Sequence, residues 1–232
     1  MTITTPGTVI NGYDIIGRVS IKAPNVTISN SIIRPEKPTG SGIVNTKSPG
    51  VVIRDTEIYS GVRNPDSNGV MGYGFTLERV NIHSVVDQVH IHGDNVTIRD
   101  SQLHSNTHYE QDPNWGGKPS HDDNIQITAG TNITVTGTVL SGSHSAAIMM
   151  GQDHGVISKV NISANTIGGG ACSVNIAEKG RGPLQGVSLT GNRFLPTQTK
   201  HLGCGVITER TTTPVLRSNT WLDGSEVNVR RG

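Results

Sequence analysis

Three features of the sequence predict an all-β chain wound as a single-stranded parallel β-helix, a solenoid of about eight coils. An alternating apolar motif recurs eight times along 232 residues. Its copies return mostly every 21 to 27 residues instead of holding one strict period. Only 3% of the residues are aromatic, against 29 glycines. That composition suits a narrow core of stacked Val, Ile and Leu better than a sandwich or a closed barrel.

The motif reads apolar-x-apolar-x-x-small-x-apolar. It starts at Val26, Val51, Phe75, Val96, Ile133, Val160, Val187 and Pro214. Two residues on stand Ile28, Ile53, Leu77, Ile98, Val135, Ile162, Leu189 and Leu216. Seven residues on stand Ile33, Ile58, Ile82, Leu103, Leu140, Ile167, Phe194 and Trp221. The local period of two makes the unit a strand. The last three copies end in Asn165-Thr166-Ile167, Asn192-Arg193-Phe194 and Asn219-Thr220-Trp221. Asparagine at a bend tolerates left-handed backbone and can bond its neighbour in a stack. Most coils carry a second alternating strand before the motif, as in DQVHIHG at 87–93, DNIQITAG at 123–130 and CSVNIAEKG at 172–180.

One domain is the reading for residues 1–232, with 1–17 as an N-terminal cap and 222–232 as the C-terminal end, because open strand edges need cover. The interval from Val96 to Ile133 is 37 residues long and contains an inserted loop at 104–121, rich in Asn, Pro and Gly. A loop of that length on a solenoid belongs to the binding face. Residues 61–74 form a second, shorter excursion. The two cysteines, Cys172 and Cys204, are too few for a disulfide framework or a zinc site; buried thiols and one late disulfide both remain open.

The chemistry-bearing residues crowd into 85–151. In DQVHI and DNIQI the inward residues are Val89, Ile91, Ile125 and Ile127, so His90, His92, Asn124 and Gln126 face outward. Asp87 and Asp123 occupy the same place in successive coils. At roughly 4.8 Å between coils, Asp87, Asp122, Asp123 and His144 can share one groove.

These segments resemble the polygalacturonase family of glycoside hydrolases, within the pectate-lyase-like superfamily of right-handed β-helices. VVD at 85–87, HDDNIQI at 121–127 and SGSHSAAIMMG at 141–151 are similar to its aspartate, paired-aspartate and histidine elements. Asn175 and Ala177 stand where that family has its arginine and lysine, with Lys179 and Arg181 nearby. The resemblance spans residues 85–180. It implies inverting hydrolysis of a polysaccharide: Asp122 protonates the leaving oxygen, Asp87 and Asp123 activate water, and His144 orients the acid. His90, His92, Gln126, Trp115, Tyr109, Lys179 and Arg181 are then the substrate-binding candidates.

Two alternatives stay open. A polysaccharide lyase acting on a uronate polymer would use a histidine base and the cations Lys179 and Arg181. A non-catalytic glycan-binding or structural β-helix, such as a phage tail or capsid appendage, would need neither; as a virion protein it could be a homotrimer. No cofactor and no metal ligand set is evident, although a paired aspartate is compatible with a structural or substrate-bridging calcium ion. The formal charge of +1 lacks a basic stripe, which argues against nucleic acid. No long apolar segment offers a membrane insertion. The N-terminus lacks signal-peptide features, so an extracellular or virion-displayed location would be reached by another route or after trimming.

Overall fold

The computed structural model describes residues 1–196 and 203–232. Alternation of period two generates short strands, and each coil contributes three. They build three parallel faces, A, B and C, met in that order along every coil. Face A holds Val44–Thr46, Asn68–Gly72, Asp87–His92, Ala146–Gly151 and Val174–Ala177. Face B holds Val51–Arg54, Phe75–Glu78, Val96–Arg99 and Ile157–Ser163. Face C is a nine-stranded sheet running from Asp14–Ile16 to Thr220–Trp221. Pairing is parallel, coil onto coil. The chain is a parallel β-helix.

The repeat read from the sequence is the register. Val96 sits over Ile133, Ile133 over Val160 and Val160 over Val187. The last motif position stacks as Ile82, Leu103, Leu140, Ile167, Phe194 and Trp221. The ladders from Val96 to Leu189 and from Ile33 to Phe194 are fully buried. Because each apolar side chain covers the one below, the core needs branched aliphatics in every coil and few aromatics.

Residues 1–17 do more than cap. Val9–Asn11 pairs with Thr27–Ser29, and Asp14–Ile16 pairs with Ile32–Arg34. They form a ninth winding, with Ile10 and Ile15 buried. The eight-copy count missed it because a threonine, Thr8, stands at the motif's first position. Within 222–232, Val229–Arg231 adds the last strand of face A. The excursion at 61–74 likewise closes as a strand, Asn68–Gly72, between Val44–Thr46 and Asp87–His92.

The asparagine ladder forms, with one correction. Asn165, Asn192 and Asn219 are buried and stacked: each Nδ2 donates to the next Oδ1, at 3.0 and 2.8 Å. The left-handed residue is the one before each of them, Ala164, Gly191 and Ser218. The asparagine itself turns inward to bond backbone.

The strand Asp123–Thr136 runs unbroken from face A into face B. It bends at Gly130, at φ 129°, where a Cβ would sit 2.1 Å from the Gly93 carbonyl oxygen. No larger residue fits that corner. Cys172 and Cys204 form a disulfide, with Cα atoms 4.7 Å apart. They lie two residues before Val174 and Val206, which are register partners on adjacent coils, so one coil spacing brings the sulfurs together.

Candidate functional site

Asp87 and Asp123 do stack on adjacent coils of face A. Asp123 N–H donates to Asp87 Oδ1 at 2.9 Å, and Ala146 N–H donates to Asp123 Oδ1 at 2.9 Å. The expected open groove does not hold for them. Asp87 is 6% exposed and Asp123 3%. The strands Asp87–His92 and Asp123–Thr136 each open with two polar residues still inside the corner, so in–out alternation begins only at Val89 and Ile125. Asn124, expected to face outward, is buried for this reason. Its Nδ2 lies 2.9–3.2 Å from Gln88 Oε1, Leu103 O, Asn106 Oδ1 and Ser141 O.

Burial sets the acidity of the stacked pair. It pushes the Asp87 carboxyl up to about 7, against a smaller opposing pull from the Asp123 N–H. Burial, and then the neighbouring Asp87, raises Asp123 well above the usual carboxylate range. These are the surroundings that keep a carboxyl protonated near neutral pH.

Asp122 is the larger correction. Its surface is fully sealed, and both oxygens are taken. Oδ1 lies 2.7 Å from His108 Nδ1 and accepts from Ser120 Oγ; Oδ2 accepts from His144 N–H at 2.9 Å and lies 3.0 Å from His144 Nδ1. A carboxyl enclosed in this way has no path to a leaving oxygen. The His108 and His144 rings stack on each other, centroids 4.0 Å apart and 22° between planes.

His108 belongs to the inserted loop, and sequence spacing carried no sign of it. The loop folds back on itself: Ser120 N–H donates to Tyr109 O, and Tyr109 N–H donates to Ser120 Oγ. It also rests on the 61–74 excursion through Arg63 Nη2 to His108 O and Asn114 Nδ2 to Asp66 Oδ1. Tyr109 is spent on this docking, since Arg63 lies over its ring at 4.7 Å.

Beside this cluster, face A carries a trough of about 560 Å³, lined by His90, Trp115, His121, Asp123, Gln126, Asp153, His154, Asn175 and Lys179 among others. Four of the expected substrate-binding residues meet here: His90, Gln126, Trp115 and Lys179. Trp115, 47% exposed, stacks on His121 with centroids 4.0 Å apart. Lys179 Nζ is 3.3 Å from Asp153 Oδ1. Asp153 was not anticipated, since nothing in QDHG at 152–155 repeats the motif. Burial, then His92 and His154, brings the His90 imidazole down to about 4.

Two expected residues lie elsewhere. Arg181 is turned onto backbone, its Nε donating to Gln152 O at 2.7 Å. His92 lines a second trough on the same face, of about 550 Å³, with Arg18, Lys22, Lys47 and Met71. The strand Asp87–His92 serves both troughs.

No protein-family model matches the chain, and no curated protein matches it. Among solved structures it is similar to an alginate lyase from Paenibacillus sp. str. FPU-7, at 12% identity over 99% of this chain and 92% of that one, with a TM-score of 0.46. It is also similar to a GH136 lacto-N-biosidase from Eubacterium ramulus, at 8% identity over 98% of this chain and 60% of that one, with a TM-score of 0.41. QnrB1, a plasmid-mediated fluoroquinolone resistance protein, aligns at 9% identity over 92% and 91%, with a TM-score of 0.33. At these scores the likenesses carry no functional argument, and the assignment to the parallel β-helix class rests on strand register.

Proposed function

We propose that the chain binds an extended polysaccharide along face A and cleaves it by glycoside hydrolysis. One observation carries this reading: the trough sets a nearly buried carboxyl, pushed toward its protonated form, beside an aromatic platform. Asp123 is nearly buried, and its carboxyl receives one hydrogen bond, from Ala146, among the described residues. Asp153 is half-exposed and paired with Lys179. A carboxyl held protonated by burial suits the acid role of hydrolysis, while the Asp153–Lys179 pair lies at the other end of the trough.

In this scheme the Asp123 proton passes to the glycosidic oxygen as the bond from the anomeric carbon breaks. Water attacks that carbon and releases its proton to solvent. The exposed face of Trp115 stacks on a sugar ring, held in place by His121. The neighbouring trough offers Arg18, Lys22 and Lys47 and no carboxylate, which favours a chain bearing acidic sugars. Roles therefore shift from those implied by the polygalacturonase resemblance: Asp123 replaces Asp122 as the acid, and Asp153 with Lys179 joins the substrate-binding residues.

A lyase reading is favoured by a different observation. His90, whose acidity leaves it unprotonated at neutral pH, lines the same trough and could abstract a proton beside a uronate carboxyl. Incubation with acidic and neutral polysaccharides separates the readings. Hydrolysis yields new reducing ends without ultraviolet-absorbing unsaturated sugars, and Asp123→Asn abolishes them. Unsaturated ends sensitive to His90→Gln would replace hydrolysis with elimination. Retention of polysaccharide without shortening would leave a binding protein.

A further inference from the structure

The cluster of His108, Asp122 and His144 lies outside the trough chemistry, and hydrolysis makes no use of it. We propose that these three residues bind one divalent transition-metal ion of the zinc class at the base of the inserted loop.

The donor atoms point to this. One nitrogen from each imidazole and an oxygen from the carboxylate all lie within 4.8 Å of one another. Both Nδ1 atoms aim at the same carboxylate, one at each oxygen. Two imidazoles and one carboxylate form the donor set of zinc and its neighbours in the transition series, whereas calcium and magnesium prefer oxygen alone. The calcium ion compatible with the paired aspartate in sequence is therefore the wrong class of ion for this arrangement.

The surroundings are those of a supported site. Ser120 Oγ and the His144 N–H hold the Asp122 carboxylate from either side. The far nitrogen of His108, Nε2, lies 3.8 Å from Glu110 Oε1. When a metal takes Nδ1, a proton on the distal nitrogen would face that carboxylate, as is usual for metal-bound histidines. The His144 side chain is 53% exposed, which provides an entry path and an open coordination position. The present spacings are those of hydrogen bonds, so binding displaces the Nδ1 protons and moves the rings slightly.

The ion would tie three stretches of chain: the inserted loop through His108, the start of a face A strand through Asp122, and the turn after Leu140 through His144. It would thereby fix the loop that presents Trp115 to the trough.

Calorimetric titration of the whole protein with zinc chloride tests this without any activity readout. One ion per chain is expected, with a rise in melting temperature. His144→Ala is the decisive variant, because that side chain is half-exposed and its loss spares the core. It should weaken zinc binding at least tenfold, and His108→Ala should do the same. His83→Ala, on face C, should leave binding unchanged. Absence of binding at millimolar zinc would overturn the proposal, leaving the cluster as a hydrogen-bonded brace. Binding of equal strength in wild type and His144→Ala would also overturn it, by placing the ion on other histidines. A protein that binds zinc here yet cleaves no polysaccharide would refute the hydrolase reading alone.

Discussion

Two buried polar stacks run through this β-helix, and they differ in one atom type. At the corner between faces B and C, Asn165, Asn192 and Asn219 accept backbone N–H groups from the neighbouring coil: Thr138 N–H to Asn165 Oδ1 at 2.9 Å, Asn165 N–H to Asn192 Oδ1 at 3.0 Å. At the corner entering face A, Asp87 and Asp123 accept in the same manner from Asp123 and Ala146. The asparagines also donate, to Val135 O, Ile162 O and Leu189 O, so every polar atom in that stack has a partner. A carboxylate has nothing to donate. The aspartate stack therefore sits in the same architectural role with its hydrogen bonding incomplete, and it relieves the deficit by keeping protons. A device that serves only stability in one corner becomes a proton store beside a trough in the other.

The comparison can be broken at five points. The largest effect is expected at the trough. Asp123→Asn keeps the acceptor for Ala146 N–H but removes the transferable proton, and turnover should fall by about 10²–10⁴-fold with binding retained, as read by reducing-end release and polysaccharide retention. Next, Asn192→Asp places a carboxylate oxygen against Ile162 O and Asn219 Oδ1. Unfolding in denaturant should show a loss of about 3 kcal/mol. A loss below about 1 kcal/mol would mean that the two stacks are interchangeable after all.

The third test uses pH. The folded Asp87 carboxyl, at about 7, lies above its unfolded value of about 3.9. The unfolded chain therefore releases this proton first, and the stability it provides is present in full below about pH 4 and lost as pH rises through about 7. Asp87→Asn retains the acceptor for Asp123 N–H and should remove that loss. The variant should gain about 4 kcal/mol over wild type at pH 8 and nothing at pH 3, by thermal or denaturant melts. A gain that is independent of pH would show that the charge is not the cause. His90 acts in the opposite sense: folded at about 4 against about 6.5 unfolded, it costs stability as pH falls through that window, and His90→Gln should flatten the acid limb. The smallest effect belongs to Trp115→Ala, which should raise KM about fivefold with kcat nearly unchanged, the amount of one aromatic–sugar contact of about 1 kcal/mol.

Much of the molecule was legible before its coordinates. Strand alternation is a local property, and the spacing between motif copies is the coil length, so the pairs Ile28–Ile53, Ile133–Val160 and Phe194–Trp221 were registered correctly. Asp87 and Asp123 were placed one above the other for the same reason. His90, Gln126, Trp115 and Lys179 were found as trough residues. His108 and Asp153 were not, because one lies in a loop and the other follows a strand, where no period governs position.

The sequence alone determined the winding of the chain and the order of its coils, because apolar side chains must alternate and must cover one another at a fixed rise. Only the tertiary structure decided which polar groups see solvent. The inserted loop folds back over the corner, sets His108 beside His144 against Asp122 and carries Trp115 to the trough. Burial is a property of what lies across the fold, and contacts made by a loop of no regular period leave no trace in the residues they cover.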